Sequence, residues 1–268
     1  MGARIRLPRG IRVGDGPVSE PRDAATVMLL RAGPEVFMLR RAPRMAFAPG
    51  AQVFPGGSVD RLDRDPSVPW QGPSPESFAE TLGVAADRAR AIVVAAVRET
   101  FEESGVLLAS PGLLTDTAGP RAALAAHELS LAELLRRYGL ELRADWLTPW
   151  ARWVTPEIES RRYDTFFFAA VVPDGQAPDD GLAVGGVAGG GEADAAAWCT
   201  PDAVLAAARA GTALVLPPTA VSLAELGTAG DIPAILSRRR AIYPLRPVVR
   251  ADDTGTWLVI PDGVEYPL

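Results

Sequence analysis

From Ala24 to Ala42 the chain reads AATVMLLRAGPEVFMLRRA, two apolar runs around the short break Ala-Gly-Pro-Glu. Such runs, parted by Gly-Pro, predict two strands joined by a tight connection. AQVFPGG, residues 51–57, predicts a short strand that ends in a turn. The next stretch, SVDRLDRDPSVPWQGPSPESF, is crowded with Pro, Asp and Ser and predicts a loop or an inserted lobe. ADRARAIVVAAVRETFEES then carries apolar residues at helical spacing, with Gly105 as a stop, and predicts one helix from about Arg88 to Ser104. Val94, Val97 and Phe101 fall on its buried side.

Farther on, LSLAELLRRYGL predicts another helix, and WARWVTP and YDTFFFAAVV predict strands, with Phe166, Phe167 and Phe168 read as strand packing. GLAVGGVAGGGEADAAAW begins as a glycine-rich loop and leads through Trp198 to Pro201 and a helix, DAVLAAARAG. PPTAVSLAELGTAG and DIPAILSRRR predict two short helices, and LRPVVRADDTGTWLVIPDG a hairpin turning at DDTG. There is no internal repeat. Strands and helices mixed without regular alternation predict an α+β chain, built as a sandwiched α/β/α domain.

The 268 residues are enough for one large domain with insertions, and 48% hydrophobic content supports a sizeable core. A net charge of −6 argues against a nucleic-acid partner but not against a phosphorylated small molecule, whose charge local arginines and a metal can meet. Cys199 is the single cysteine, so no internal disulfide forms, and its apolar neighbours predict a buried thiol. His127 is the single histidine, which excludes a His-based zinc cluster or a Cys/His protease centre. No stretch reaches eighteen apolar residues, so no membrane span is expected. The start lacks an apolar leader core, and Arg6 stands where a myristoylation signal wants Ser or Thr; the expected location is the cytoplasm.

RETFEESGV, residues 98–106, places Glu99, Glu102 and Glu103 opposite Val94, Val97 and Phe101 on the helix. Like charges at i, i+3 and i+4 repel, so the arrangement costs stability unless a cation or arginines offset it. Helix geometry leaves two readings, a solvated acidic face and a divalent-metal site. The upstream FPGG turn adds a backbone carbonyl, a hard oxygen ligand of the kind magnesium takes, and Arg98 stands at the edge of the acidic face, able to hold a carboxylate.

FPGG followed by RETFEESGV resembles the signature of Nudix hydrolases, in which a glycine, five residues, a glutamate and seven residues precede Arg-Glu-aliphatic-any-Glu-Glu-any-Gly-aliphatic. Arg98, Glu99, Glu102, Glu103, Gly105 and Val106 match, and Thr100 replaces the aliphatic residue. Gly57 lies 41 positions before Arg98 where the pattern has fourteen, so about 27 residues are inserted, and Arg90 stands where the pattern has its earlier glutamate. With RRAPRMAFAPGAQVFPGGSVD, TPWARWVTPEIESRRYDTFFFAA, GEADAAAW and LPPT, this is similar to the Nudix branch that includes peroxisomal coenzyme A diphosphatases, although the final YPL is not a peroxisomal signal.

The resemblance implies a single Nudix-like α/β/α domain over 1–268 with a mixed sheet. Residues 58–86 are then an insertion between the glycine turn and the signature helix, and 217–268 a C-terminal extension of helices and hairpin packed on the core. It implies hydrolysis of a diphosphate linkage with Mg2+ or Mn2+, held by Glu99, Glu102, Glu103 and the Gly56 carbonyl. Glu102, Glu103 and Glu192, a late-loop glutamate, form the implied catalytic set, and Gly57, Arg98 and Gly105 the structural frame. Arg41, Arg44, Arg161 and Arg162 are candidates for substrate phosphates, because a guanidinium offers a rigid fork of donors; the alternative is that they are ordinary surface arginines. Coenzyme A or acyl-coenzyme A leads the substrates, ahead of NADH, ADP-ribose, nucleotide sugars and nucleoside polyphosphates. A nucleotide sensor without catalysis, and a homodimer, are compatible with the same fold.

Overall fold

The computed structural model describes residues 3–7, 18–33, 35–45, 48–179 and 193–268. Its centre is explained by two apolar strands that are buried on both faces. In Arg22–Arg31, Ala25, Val27 and Leu29 enter one apolar cluster while Met28 and Leu30 enter another. Tyr163–Val171 lies parallel to it, with Phe166 opposite Ala25 and Ala170 opposite Leu29. Phe166 and Phe168 join the first cluster and Phe167 the second, so the three phenylalanines pack the two sides of one sheet. Burial on both faces explains why the sequence shows continuous apolar runs instead of alternation.

The mixed sheet runs in the order Leu214–Val215, Ala51–Val53, Glu35–Arg41, Arg22–Arg31, Tyr163–Val171, Thr148–Val154, Pro244–Leu245. Gly56–Ser58 also pairs with Arg22–Arg31, and Ala193–Cys199 with Glu35–Arg41. Helices cover both faces. Ala86–Ser104 lies on the first with Val94, Val97 and Phe101 buried, joined by Pro75–Leu82 and Leu131–Tyr138. Pro201–Arg209 and Pro217–Thr228 cover the second through Val204, Leu205 and Leu223. This is the expected α/β/α sandwich.

Five features differ from the sequence reading. The stretch after the glycines is ordered, with a short 3-10 turn at Leu62–Arg64, the strand Trp70–Gln71, and the helix Pro75–Leu82, whose Phe78 and Leu82 enter the core. Gly56-Gly57 is no turn but the start of a strand, the bend falling at Phe54-Pro55. An unforeseen helix spans Ala118–Ala125. The terminal hairpin, Val248–Asp252 with Gly255–Val259, forms as expected and gains a third strand from Arg4–Arg6. The Ala86–Ser104 helix is also buried more broadly than a one-stripe pattern predicts: every residue from Ala91 to Arg98 is buried, because Pro75–Leu82 and Ala118–Ala125 pack beside it.

The N-terminal end of that helix is tied to the sheet by charge. Arg152 forks onto buried Asp164, Nε to Oδ1 at 2.8 Å and Nη2 to Oδ2 at 2.7 Å. Arg88 adds Nη2 to Asp164 Oδ2 at 2.8 Å and grips Asp23. Burial alone would raise the Asp164 carboxyl, but its hydrogen bonds and charge contacts with Arg152 and Arg88 hold it below the ordinary value. Removing one charge strands buried Arg152, so Asp164→Asn should lose about 3–5 kcal/mol in guanidinium chloride unfolding at neutral pH. The wild-type advantage belongs to the ionised carboxylate, so it should be complete above the ordinary aspartate pKa and fade as pH falls through the depressed folded value. A loss that is small at neutral pH, or one that does not change in acid, would contradict this role.

Candidate active site

Helical spacing brings Glu99, Glu102 and Glu103 to the C-terminal half of the Ala86–Ser104 helix, as expected. Two glycines let this half approach the sheet. A Cβ on Gly57 would lie 2.5 Å from Glu99 Oε1, and one on Gly56 would collide with the Ala25 carbonyl and the Thr26 Cα. The observed contact of Gly56 is made by its N–H, which donates to Glu103 Oε2 at 2.7 Å. The helix stops at Gly105, whose φ of 76° is left-handed and whose N–H returns to the Phe101 carbonyl at 2.8 Å.

Arg98 organises the cluster from a nearly buried position. Nε and Nη2 fork onto Asp63, both at 2.8 Å, and Nη2 also donates to the Ser58 carbonyl at 3.0 Å. Nη1 reaches Glu99 Oε1 at 2.9 Å and Glu102 Oε1 at 3.1 Å. These contacts use all five guanidinium donors. Asp63 is 1% exposed and had no place in the sequence reading. The only hint of it was the acidic VDRLDRDP stretch, which carries no register.

One guanidinium does not neutralise this many carboxylates. Burial pushes the Glu99 carboxyl up to about 7 against the pull of Arg98. Burial also raises Glu102, again opposed by Arg98. The lone histidine stands at the rim, its Nδ1 3.9 Å from Asp60 Oδ2, where a proton on it would pull Glu102 down. The sequence reading gave His127 no such place.

The donor chemistry fits a hard divalent cation: the ligands on offer are carboxylate oxygens, and Arg98 takes one oxygen from each of Glu99 and Glu102. Among the described residues no three acidic, His or Cys side chains converge into a ready-made cage. In this arrangement Nη1 stands against both Glu99 and Glu102, and Glu103 is turned to the Gly56 N–H.

The arginines separate into two groups. Arg41 follows Phe37 and Leu39 in strand alternation, on the face that the acidic helix covers, and Arg44 lies in the exposed turn that follows. Arg161 and Arg162 are not brought to the carboxylates. Arg162 donates to the Thr155 carbonyl at 3.1 Å and the Ser19 carbonyl at 2.7 Å. These two residues precede the end of the Tyr163 strand where Asp164 meets Arg88, at the far end of the helix. The rise from Arg88 to Glu99 and Glu103 is roughly 16–22 Å. A doublet of arginines in sequence does not reveal which end of a strand it marks. Glu192 lies outside the described residues. Arg90, in the place of the motif glutamate, donates to the Pro66 and Val68 carbonyls and stacks on Trp70. Arg121, also unforeseen, donates to the Glu102 carbonyl at 3.1 and 3.2 Å and secures the last helical turn.

With this geometry in hand, the chain can be set beside known proteins. It is 30% identical to the acyl-coenzyme A diphosphatase NUDT19 of Gallus gallus, over 55% of this chain and 54% of that protein. It is 31% identical to the putative nudix hydrolase 7 of Caenorhabditis elegans, over 78% of this chain and 62% of the relative. It thus spans about half to three fifths of the length of these curated relatives. A solved NUDIX hydrolase from Alicyclobacillus acidocaldarius superposes with a TM-score of 0.66 at 28% identity, over 84% of this chain and 99% of that one. No family model matches.

The raised Glu99 carboxyl has a measurable consequence in metal-free protein. Between its ordinary value of 4.5 and about 7 the folded state holds a proton that the unfolded chain has released. Stability contributed by this group therefore falls as pH rises through that window. Urea unfolding of metal-free wild type and Glu99→Gln should show wild type losing ground to the variant between about pH 5 and about pH 8. A constant difference would mean that Glu99 ionises as an exposed glutamate does.

Proposed function

We propose that this chain, a Nudix-superfamily protein similar to coenzyme A diphosphatases, hydrolyses a diphosphate linkage in coenzyme A or acyl-coenzyme A. The observation that carries the reading is buried Asp63 and part-buried Glu99 and Glu102 gathered around one buried guanidinium, with Glu103 beside them on Gly56. A solvated acidic face needs no such burial. Glu99, Glu102 and Glu103 would hold the cation. Mg2+ or Mn2+, when bound, supplies the positive charge that lets water approach a polyanion and makes that water more acidic.

The protein's own part is electrostatic and positional. Arg98 fixes the rotamers of Glu99 and Glu102, and Gly57 leaves room for Glu99 against the strand. The Gly56 N–H orients Glu103. Glu102 and Glu103 are the carboxylates on this face to receive a proton from attacking water, with Glu192 as a third candidate. Arg41, on the same face, is the arginine best placed by strand alternation to meet substrate phosphate. Arg161 and Arg162 are withdrawn from that role.

The substrate part rests on the named activity of the Gallus gallus and Homo sapiens relatives, both acyl-coenzyme A diphosphatases at 30% and 31% identity. Hydrolysis would give 3′,5′-ADP and 4′-phosphopantetheine or its acyl form. The test is a panel of diphosphates with Mg2+ and with Mn2+, products identified by mass. Coenzyme A or an acyl derivative should be cleaved fastest. Faster turnover of NADH, ADP-ribose or a nucleotide sugar would move the substrate while keeping the reaction, and binding without any cleavage would favour a sensor.

Glu103→Gln keeps the Gly56 hydrogen bond through its amide oxygen and removes the charge. Turnover should fall roughly a hundredfold or more with little change in thermal unfolding. Near-normal kcat at saturating Mg2+ would remove Glu103 from the site.

A further inference from the structure

We infer that Asp63, supplied by the inserted segment, is a positioning residue: it holds the Nε/Nη2 edge of Arg98 so that a single nitrogen meets Glu99 and Glu102, leaving the second oxygen of each for a cation. The inference rests on the metal-site reading above and adds a residue that the signature helix does not contain.

The geometry is unusually complete. Asp63 sits in the Leu62–Arg64 turn, where the Asp60 N–H donates to its Oδ2 at 2.7 Å and the Leu62 N–H donates to Asp60 Oδ1 at 2.8 Å. The aspartate is thus fixed by its own backbone before it meets the arginine. Its two oxygens then accept Nε and Nη2 in parallel, both at 2.8 Å, and the Ser58 carbonyl takes the remaining Nη2 proton. A guanidinium so held can rotate toward neither glutamate. Only Nη1 remains for them, and it contacts Oε1 of Glu99 and Oε1 of Glu102.

Without Asp63 the same arginine has two more donors to spend. The strongest use of them is a two-pronged bond to one glutamate, which is the preferred geometry for Arg with a carboxylate. That bond would consume both oxygens of a proposed ligand. It would also place the full positive charge against the cation position. Asp63 prevents both outcomes by competing for the guanidinium from the opposite side. The inserted lobe is then a working part of the site, and its turn geometry bears on metal affinity although it donates no metal ligand.

The test measures Mn2+ binding without substrate, by electron paramagnetic resonance of the free ion, on wild type and Asp63→Asn, with circular dichroism to confirm folding. Asp63→Asn should raise the Mn2+ Kd tenfold or more, the range seen when partners of metal ligands are removed. In an Arg98→Lys background, which has no fork for Asp63 to hold, the same substitution should change Kd by less than about threefold. A folded Asp63→Asn protein with wild-type affinity, or an undiminished effect in the Arg98→Lys background, overturns the inference. If Asp63→Asn does not fold, Asp63→Glu takes its place: its extra methylene pushes the guanidinium toward the glutamates and should also weaken Mn2+ tenfold, and unchanged affinity overturns the inference. Wild type that binds no Mn2+ overturns both this inference and the metal-site reading. Wild type that binds Mn2+, weakened by Asp63→Asn, but cleaves no diphosphate leaves the positioning role standing and overturns the proposed activity alone.

Discussion

One buried guanidinium shared among three carboxylates, Asp63 buried and Glu99 and Glu102 part-buried, is the constraint on which the rest of the site depends. Arg98 has five donors, and each has a partner: two on Asp63, one on the Ser58 carbonyl, and one each on Glu99 and Glu102. Breaking a buried pair of this kind typically costs about 3–5 kcal/mol, because the remaining charges stay out of water without compensation. The backbone around the arginine is correspondingly fixed. Gly57 must be a glycine for Glu99 to lie against the strand, and Gly105 must turn left-handed for the helix to end one turn beyond Glu102. Arg121 and the Asp179 N–H close the last turn by taking the Glu102 and Ser104 carbonyls.

Arg90 meets the same inserted segment a few residues farther on, at Pro66 and Val68. A glutamate there would face the carbonyls of Pro66 and Val68, acceptors meeting an acceptor. Arginine donates to both and rests its face on Trp70. The departure from the signature is therefore a fit to the insertion, and Glu99, Glu102 and Glu103 keep their places on the helix. The segment is held at two places by arginines of one helix, at Asp63 by Arg98 and at Pro66–Val68 by Arg90, which couples its fold to the placement of Glu99 and Glu102.

What the sequence disclosed follows from how local each interaction is. Glu99, Glu102, Glu103, Arg98 and Gly105 lie within two helical turns, so 3.6-residue geometry is enough to bring them to one face and to stop the helix after them. The sandwich was legible for the same reason, since the runs around Met28 and Phe167 could be buried only between two layers. Asp63 was not legible, because it meets Arg98 across 35 residues and only the folded path of the insertion sets that contact. The helix Ala118–Ala125 was obscured by Gly119 and Pro120, although a proline in the first turn costs a helix nothing. The placement of Arg161 and Arg162 was not legible, because residue type indicates phosphate chemistry but not position, and the strand they precede points its start away from the acidic cluster.

The central claim is that Glu99, Glu102 and Glu103 together hold a divalent cation beside the Gly56–Gly57 strand. Anomalous diffraction from a Mn2+-soaked crystal addresses it without reference to substrate or rate. A peak bonded to carboxylate oxygens of at least two of the three glutamates is the expected result. Mn2+ bound elsewhere, or none at the glutamates under conditions where the same protein hydrolyses a diphosphate with Mn2+, would contradict the claim.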